Sequence, residues 1–434
     1  MTGILHVVGA GLAGLSAALT AIEQGRAVRV YEGAGHAGGR CRSFFDKKLD
    51  RQIDNGNHLV LSGNDGVRRY LARAGAPDAL VQAPQAIYPF VDLRTGERWS
   101  VHLNDGPIPF WAFDASRRPK GVGLGELAGA SSLFVGAKGK TIAELVSARG
   151  PVWDRFWEPM SLAVMNLPPE RASAELLRAV FVRTFFRDGR RSRPMFAPNG
   201  LGPALVDPAV EKIAAAGTPV AFNRLVTQLD RDADRITRLD FAAGDPVEIG
   251  SDDDVILAVP PARLQELYPD AAPPLKESAI LNAHFVLPDP ALASGLPPLV
   301  AVLGGISQWI FPHGDVISIT VSSSQDIEGA DARPDELLET LWREVVTVFD
   351  FPPDTVYQAG RLLREKRATF EQTPEAVAQR PAAKTALTNL YLAGDVTDTG
   401  LPATIEGAVR SGESAAQLAG QAIADHSTQK LKAA

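Results

Sequence analysis

The chain opens on a short apolar run, Ile4-Leu5-His6-Val7-Val8, of the kind that fills a strand buried on both faces. Gly9-Ala10-Gly11-Leu12-Ala13-Gly14 follows at once. Leu12, Leu15, Leu19 and Ile22 then fall on one helical stripe ending at Gly25, and Ala27 to Tyr31 reads as a second strand closed by Glu32. Near the other end, Asn389 to Ala393 is another short strand, running into Gly394-Asp395. A turn from Thr399 then opens into a Gly/Ala-rich helix starting near Thr404. In the middle, Val220-Ala221-Phe222, Leu225 to Leu229 and Ile236 to Phe241 read as short strands, and Val255 to Val259 as a buried strand stopped by Pro260-Pro261. Gln308 to Phe311 and Val316 to Ser322 read as a hairpin turned at Pro312-His313-Gly314-Asp315. Pro334 to Phe349 carries Leu337, Leu338, Leu341, Val345 and Val348 at helical spacing behind a proline start.

Strand, GxGxxG, helix, strand and acid within about thirty residues form a dinucleotide-binding unit. Gly9 allows the tight turn, Gly11 admits a pyrophosphate to the backbone, and Gly14 lets helix and strand approach. The helix N-terminus offers free N–H groups and about half a positive charge to phosphates. Glu32 is spaced to accept hydrogen bonds from a ribose diol. Just beyond it, Gly38-Gly39-Arg40 brings bare backbone and a cation near the middle of the cofactor, which suits a large, permanently held group better than an exchanging nicotinamide.

Composition narrows the class. At 434 residues the chain is two or three domain-sized units, at ~150 residues each. Hydrophobic residues at 45% against 22% charged exclude a disordered chain. The net charge of −7 argues against a nucleic-acid partner. One cysteine, Cys41, rules out an internal disulfide or a CxxC pair and points to a reduced, cytoplasmic setting. Residues 1–22 carry no Asp, Glu, Lys or Arg, yet the three glycines and the missing basic flank argue against a membrane span or signal peptide. A soluble or peripheral protein is expected. No HExxH, His/carboxylate cluster, GxSxG or Walker loop appears, so no metal site is expected.

The opening GAGLAG, the GGRCRS at 38–43 and the closing AGDVTDTGLPATIEGAVRSG resemble the FAD-dependent amine oxidase and carotenoid desaturase superfamily. Within it, Asp54 to Asn64, Arg364 to Phe370 and the closing stretch are most similar to the squalene-associated branch, the hydroxysqualene dehydroxylases of bacterial hopanoid biosynthesis. Val396 departs from the pattern, which commonly has an aromatic there. The resemblance implies an α/β fold: a discontinuous Rossmann-like FAD-binding domain (1–79, 196–261, 356–434) with an inserted α+β substrate domain (80–195, 262–355). It implies FAD held non-covalently, since Cys41 is remote from the C-terminal cysteine of covalent monoamine oxidases. The expected cofactor contacts are Gly9, Gly11, Gly14, Glu32, Gly39, Arg40, Gly394 and Asp395. Thr404 and Ile405 would stand at a helix N-terminus aimed at the flavin N1–C2 edge, and the backbone at Val226 would meet the adenine. The turn with Asp54, Gly56, Asn57 and His58 would pass close to the isoalloxazine ring, with Gly56 and Asn57 as further expected cofactor contacts.

The implied reaction is reductive dehydroxylation of hydroxysqualene, a long apolar isoprenoid. Hydroxide leaves poorly, so a proton donor is needed. His58 has the pKa range for it, and Asp54 would orient His58 or hold the turn. Asp-Asn-Gly is also a common turn sequence stabilised by local backbone bonds. An oxidative polyene desaturase and an FAD-holding partner of terpenoid synthases without turnover are the alternatives.

Two stretches admit two readings. Ala279 to Pro312 carries one formal charge, Asp289, and is either sheet core, the commoner case, or the lining of a hydrocarbon tunnel. Phe110-Trp111-Ala112-Phe113 before Arg117, Arg118 and Lys120 is either a buried aromatic cluster with a solvated basic loop, again commoner, or a membrane-surface contact.

Overall fold

The computed structural model describes residues 3–146, 149–271, 274–327 and 333–433, the side chains of residues 326 and 422–433 excepted. Its centre is a four-stranded parallel sheet in the order Leu390–Leu392, Asp254–Leu257, Leu5–Val8, Val28–Tyr31. Three of these strands are wholly buried and the fourth nearly so, as unbroken apolar runs covered on both faces must be. The helices Leu12–Glu23 and Ile405–Ala433 pack together beside it. A Cβ at Gly412 would lie 2.0 Å from the Ala13 carbonyl oxygen, so the two helices meet backbone to backbone.

The second body is a seven-stranded sheet in the order Ala359–Phe370, Glu277–Val286, Val316–Ser322, Trp309–His313, Val300–Leu303, Ala86–Asp92, Glu97–Leu103. All its pairings are antiparallel except that of Val300–Leu303 with Ala86–Asp92. The helix Pro334–Val348 covers one face, burying Leu337, Leu341 and Val345 against Leu281, Ala283 and Phe285. A third core, with Leu133, Ile142, Trp157, Met165 and Phe181, belongs to the short helices between 124 and 183.

Two sequence expectations change. Val220 to Phe222 is not a strand: only Ala221 bridges Tyr31, and Asn223 then turns the chain at φ 57°. The boundary expected at 355/356 also moves. Ala359–Phe370 pairs along Glu277–Val286 in the second sheet, and only its end reaches the first body, where the Ala368 carbonyl accepts from Arg40.

Candidate functional site

The glycines shape the first turn. Gly9 has φ 102°, a left-handed value open to glycine, and a Cβ at Gly14 would stand 1.9 Å from the Gly9 carbonyl oxygen. Gly11 precedes the helix, and no protein atom lies within 4 Å of where its Cβ would be. That clearing lies at the N–H groups of the first helical turn, where a phosphate is held. Glu32 accepts from Ala10 N–H at 2.7 Å with one oxygen and from Ala34 N–H at 2.8 Å with the other, which fixes its carboxylate on the cavity wall. Gly38 and Gly39 close onto this turn, Gly38 donating to the Ala10 carbonyl at 2.9 Å.

Arg40 leaves that second loop and meets Asp395 through both terminal nitrogens, at 2.8 and 2.7 Å. Burial alone raises a carboxyl pKa; at Asp395 the Arg40 guanidinium overrides it and holds the group below the usual carboxylate range. Burial likewise opposes the charge on Arg40, and Asp395 restores and strengthens it. Gly394, at φ 119°, donates to Ser411 Oγ at 2.7 Å. Thr404 Oγ1 accepts from Gly407 N–H at 3.2 Å and so caps the helix that starts at Ile405. Sequence reasoning missed Arg380. It is buried and donates to the carbonyls of Asp395, Thr397 and Leu401, holding the whole 395–401 loop. Val396, in place of an aromatic, packs with Leu387, Leu390 and Leu392.

One continuous cavity of about 1130 Å³ runs along this site, larger than the roughly 300–1,000 Å³ of an ordinary small-ligand pocket. Gly11, Glu32 and Val226 line one end, and the Val226 carbonyl accepts from Arg263. Arg40, Gly56, Asn57, His58, Gly394, Asp395, Thr404 and Ile405 line the middle. Beyond them the wall turns aromatic and aliphatic, with Tyr88, Phe90, Phe181, Trp309 and Phe311, and reaches Phe113 and Leu124.

Asp54 is absent from that wall. Its Oδ1 accepts from Ser43 Oγ and from Leu201 N–H at 2.9 Å, so it holds the turn rather than facing a reactant. His58 does face the cavity, but its Nε2 lies 3.2 Å from the Arg40 carbonyl oxygen, which can only accept; the ring hydrogen is committed there. Desolvation lowers the His58 pKa against the raising pull of that bond and of Asp54. A neutral imidazole with its hydrogen spent is a prop for the Arg40 backbone and a poor acid at neutral pH. Burial, then the charge of Asp54, drives the Cys41 thiol far up, so it is packed and not nucleophilic.

The chamber's own polar groups were not singled out from sequence. Asn282 and Thr320 line it, and so does Glu365, which makes only a 3.3 Å bond from Arg367 N–H among the described residues. The signal was Asn282 at an alternate position in an apolar strand. Ala279 to Pro312 is in fact both things at once: Leu281, Ala283 and Phe285 are sheet core, while Ile280, Asn282, Trp309 and Phe311 face the cavity. Phe110 and Phe113, for which burial was the commoner expectation, are 61% and 67% exposed.

The clearing at Gly11, the doubly held Glu32 and the capped helix at Thr404 fit FAD stretched from the first turn to the middle of the cavity. Among the described residues no group of three or more potential metal ligands occurs, and no helix is long and apolar enough to cross a membrane. The family model for flavin containing amine oxidoreductase matches residues 12–419. The hydroxysqualene dehydroxylase of Rhodopseudomonas palustris is 40% identical over 96% of this chain and 98% of that protein. That of Sinorhizobium fredii is 39% identical over the same shares. A solved oxidoreductase from Methanosarcina mazei shares the fold, with a TM-score of 0.72 at 16% identity over 95% of this chain and 100% of its own.

Proposed function

The chain belongs to the flavin containing amine oxidoreductase family, and from that membership we propose that it is an FAD-dependent oxidoreductase that reduces hydroxysqualene to squalene. One observation carries the reading: in a chain this close to hydroxysqualene dehydroxylases, the nucleotide grip opens without interruption into a long apolar chamber. Bound flavin supplies the hydride chemistry. Gly11, Glu32, Arg40 and Thr404 hold and orient it, and the capped helix end adds a fixed positive dipole at the middle of the cavity. The aromatic wall receives the isoprenoid and keeps water from the reacting carbon. When the C–O bond breaks, the hydroxyl leaves as water and takes up one proton. Glu365, on the cavity wall and within the field of Arg40, is the carboxyl placed to pass that proton to the leaving oxygen.

The entrance supports a peripheral membrane location. Phe110, Phe113, Leu124 and Phe134 are exposed; Phe113 and Leu124 also line the cavity, and Arg117, Arg118 and Lys120 lie close by in the chain. Such a rim lets a water-insoluble substrate pass from the bilayer into the chamber.

The test is an anaerobic single turnover. The purified flavoprotein, reduced by dithionite without excess, is mixed with hydroxysqualene. Reoxidation of the flavin with one equivalent of squalene by mass spectrometry is expected. Flavin that stays reduced with no squalene formed overturns the assignment, and phytoene-like polyenes with the oxidised protein would then test for a desaturase.

A further inference from the structure

The antiparallel register sets Asn282 directly opposite Thr320 on the face of the second sheet that looks into the chamber. Both are almost fully buried, at 2% and 9% exposure. Thr320 Oγ1 donates to Asn282 Oδ1 at 3.0 Å, and Asn57 Nδ2 donates to Thr320 Oγ1 at 3.0 Å. Asn282 Nδ2 in turn reaches the Asn55 carbonyl at 3.4 Å. The neighbours on this wall are apolar, Ile280, Trp309 and Phe311 among them.

Three linked polar side chains in an apolar wall are costly unless their groups are satisfied. Here the network is satisfied at its buried end and open at its cavity end. Asn57 Oδ1 and the second Asn57 N–H have no partner among the described residues. The fixed donor direction at Thr320 decides which amide atom of Asn57 stays free: one acceptor and one donor. A hydroxyl group has the same pair in complementary form. Glu365 pairs with Ile280, two residues along the strand from Asn282, so the carboxyl approaches the same patch.

We propose that Asn57, braced by Thr320 and Asn282, is the subsite for the alcohol hydroxyl of the substrate. Its Oδ1 accepts the hydroxyl hydrogen and its free N–H donates to the hydroxyl oxygen. This positions the C–O bond and selects the alcohol over the hydrocarbon product. The inference rests on the proposed reaction and names the residues that recognise its leaving group.

The test uses the oxidised holoenzyme, which binds without reducing the alcohol. Hydroxysqualene and squalene are titrated in detergent, with flavin absorbance and tryptophan fluorescence as the readouts. Asn57→Ala and Thr320→Val should each weaken hydroxysqualene by about 3- to 10-fold and leave squalene within about twofold. Thr320→Ser, which keeps the hydroxyl, should restore the preference. Equal weakening of both ligands, or no change in either, overturns the subsite. Failure of the parent enzyme to convert hydroxysqualene overturns the reaction instead; conversion with no discrimination by the variants overturns the subsite alone.

Discussion

Arg40 holds Asp395 by two parallel bonds across 355 residues of sequence, and its Nη1 also reaches the Ala368 carbonyl at 2.8 Å. One guanidinium thus joins the second glycine loop, the strand end before the C-terminal helix, and the strand that leads into the chamber. Removing it strands a carboxylate that is 5% exposed. Arg40→Ala should cost about 3 kcal/mol and release flavin on dilution, read by chemical denaturation and by flavin in a filtrate. Arg40→Lys should rescue only part, because lysine lacks the paired donors. The Asp395 pKa is below its unfolded value, so its stabilisation is complete above about pH 4 and is lost as pH falls through the depressed value.

Glu365→Gln removes the carboxyl that would pass the proton and keeps the shape. The single-turnover rate should fall by about 10²- to 10⁴-fold with flavin content unchanged, measured by rapid quench. A rate within about threefold of the parent excludes Glu365 as the donor.

His284 predicts a second pH effect in a different window. It is buried against Ser318 Oγ at 2.8 Å, and burial lowers its pKa to about 4, with Asp46 pulling the other way. Between pH 6.5 and about 4 the unfolded chain binds this proton and the folded one does not. Stability should therefore fall by ~3 kcal/mol as pH drops through that window. Denaturation curves at pH 7 and 4.5 measure it, and His284→Asn should flatten the dependence.

Gly412→Ala drives a methyl group into the Ala13 carbonyl. A loss of about 1–3 kcal/mol is expected, seen as a lower Tm, together with weaker flavin retention because both helices carry the cofactor turns.

At the rim, Phe110→Ser with Phe113→Ser should lower co-flotation with anionic vesicles by about tenfold per residue, without altering flavin content. Unchanged flotation would remove the entrance from the membrane.

The cofactor end was legible because its chemistry is local. Gly9, Gly11, Gly14 and Glu32 sit within one strand–helix–strand unit, and Gly394 and Thr404 mark backbone positions that only certain residues fill. The chamber was not legible in this way. Asn282 and Thr320 meet only through a sheet register, and from sequence Asn282 is simply a polar residue in an apolar stretch. Arg380 acts on carbonyls, which any residue type supplies, so no pattern of acids announces it. Asp54 and His58 were placed in a turn near the flavin ring, but their roles depend on where Ser43, Leu201 and the Arg40 carbonyl lie in space.

The parallel sheet has a consequence for synthesis. Its first two strands leave the ribosome well before its third, at residue 254, and the strand Leu390–Leu392, with Asp395 and the long helix behind it, follows later still. Chains emerge at about 5–20 residues per second, so the early glycine turn waits tens of seconds for the partners that make it a grip. Throughout that interval the apolar strands of both sheets are on offer to each other and to neighbouring chains. Flavin cannot template the fold from the start; its grip is complete only once Asp395 and the helix from Ile405 have emerged.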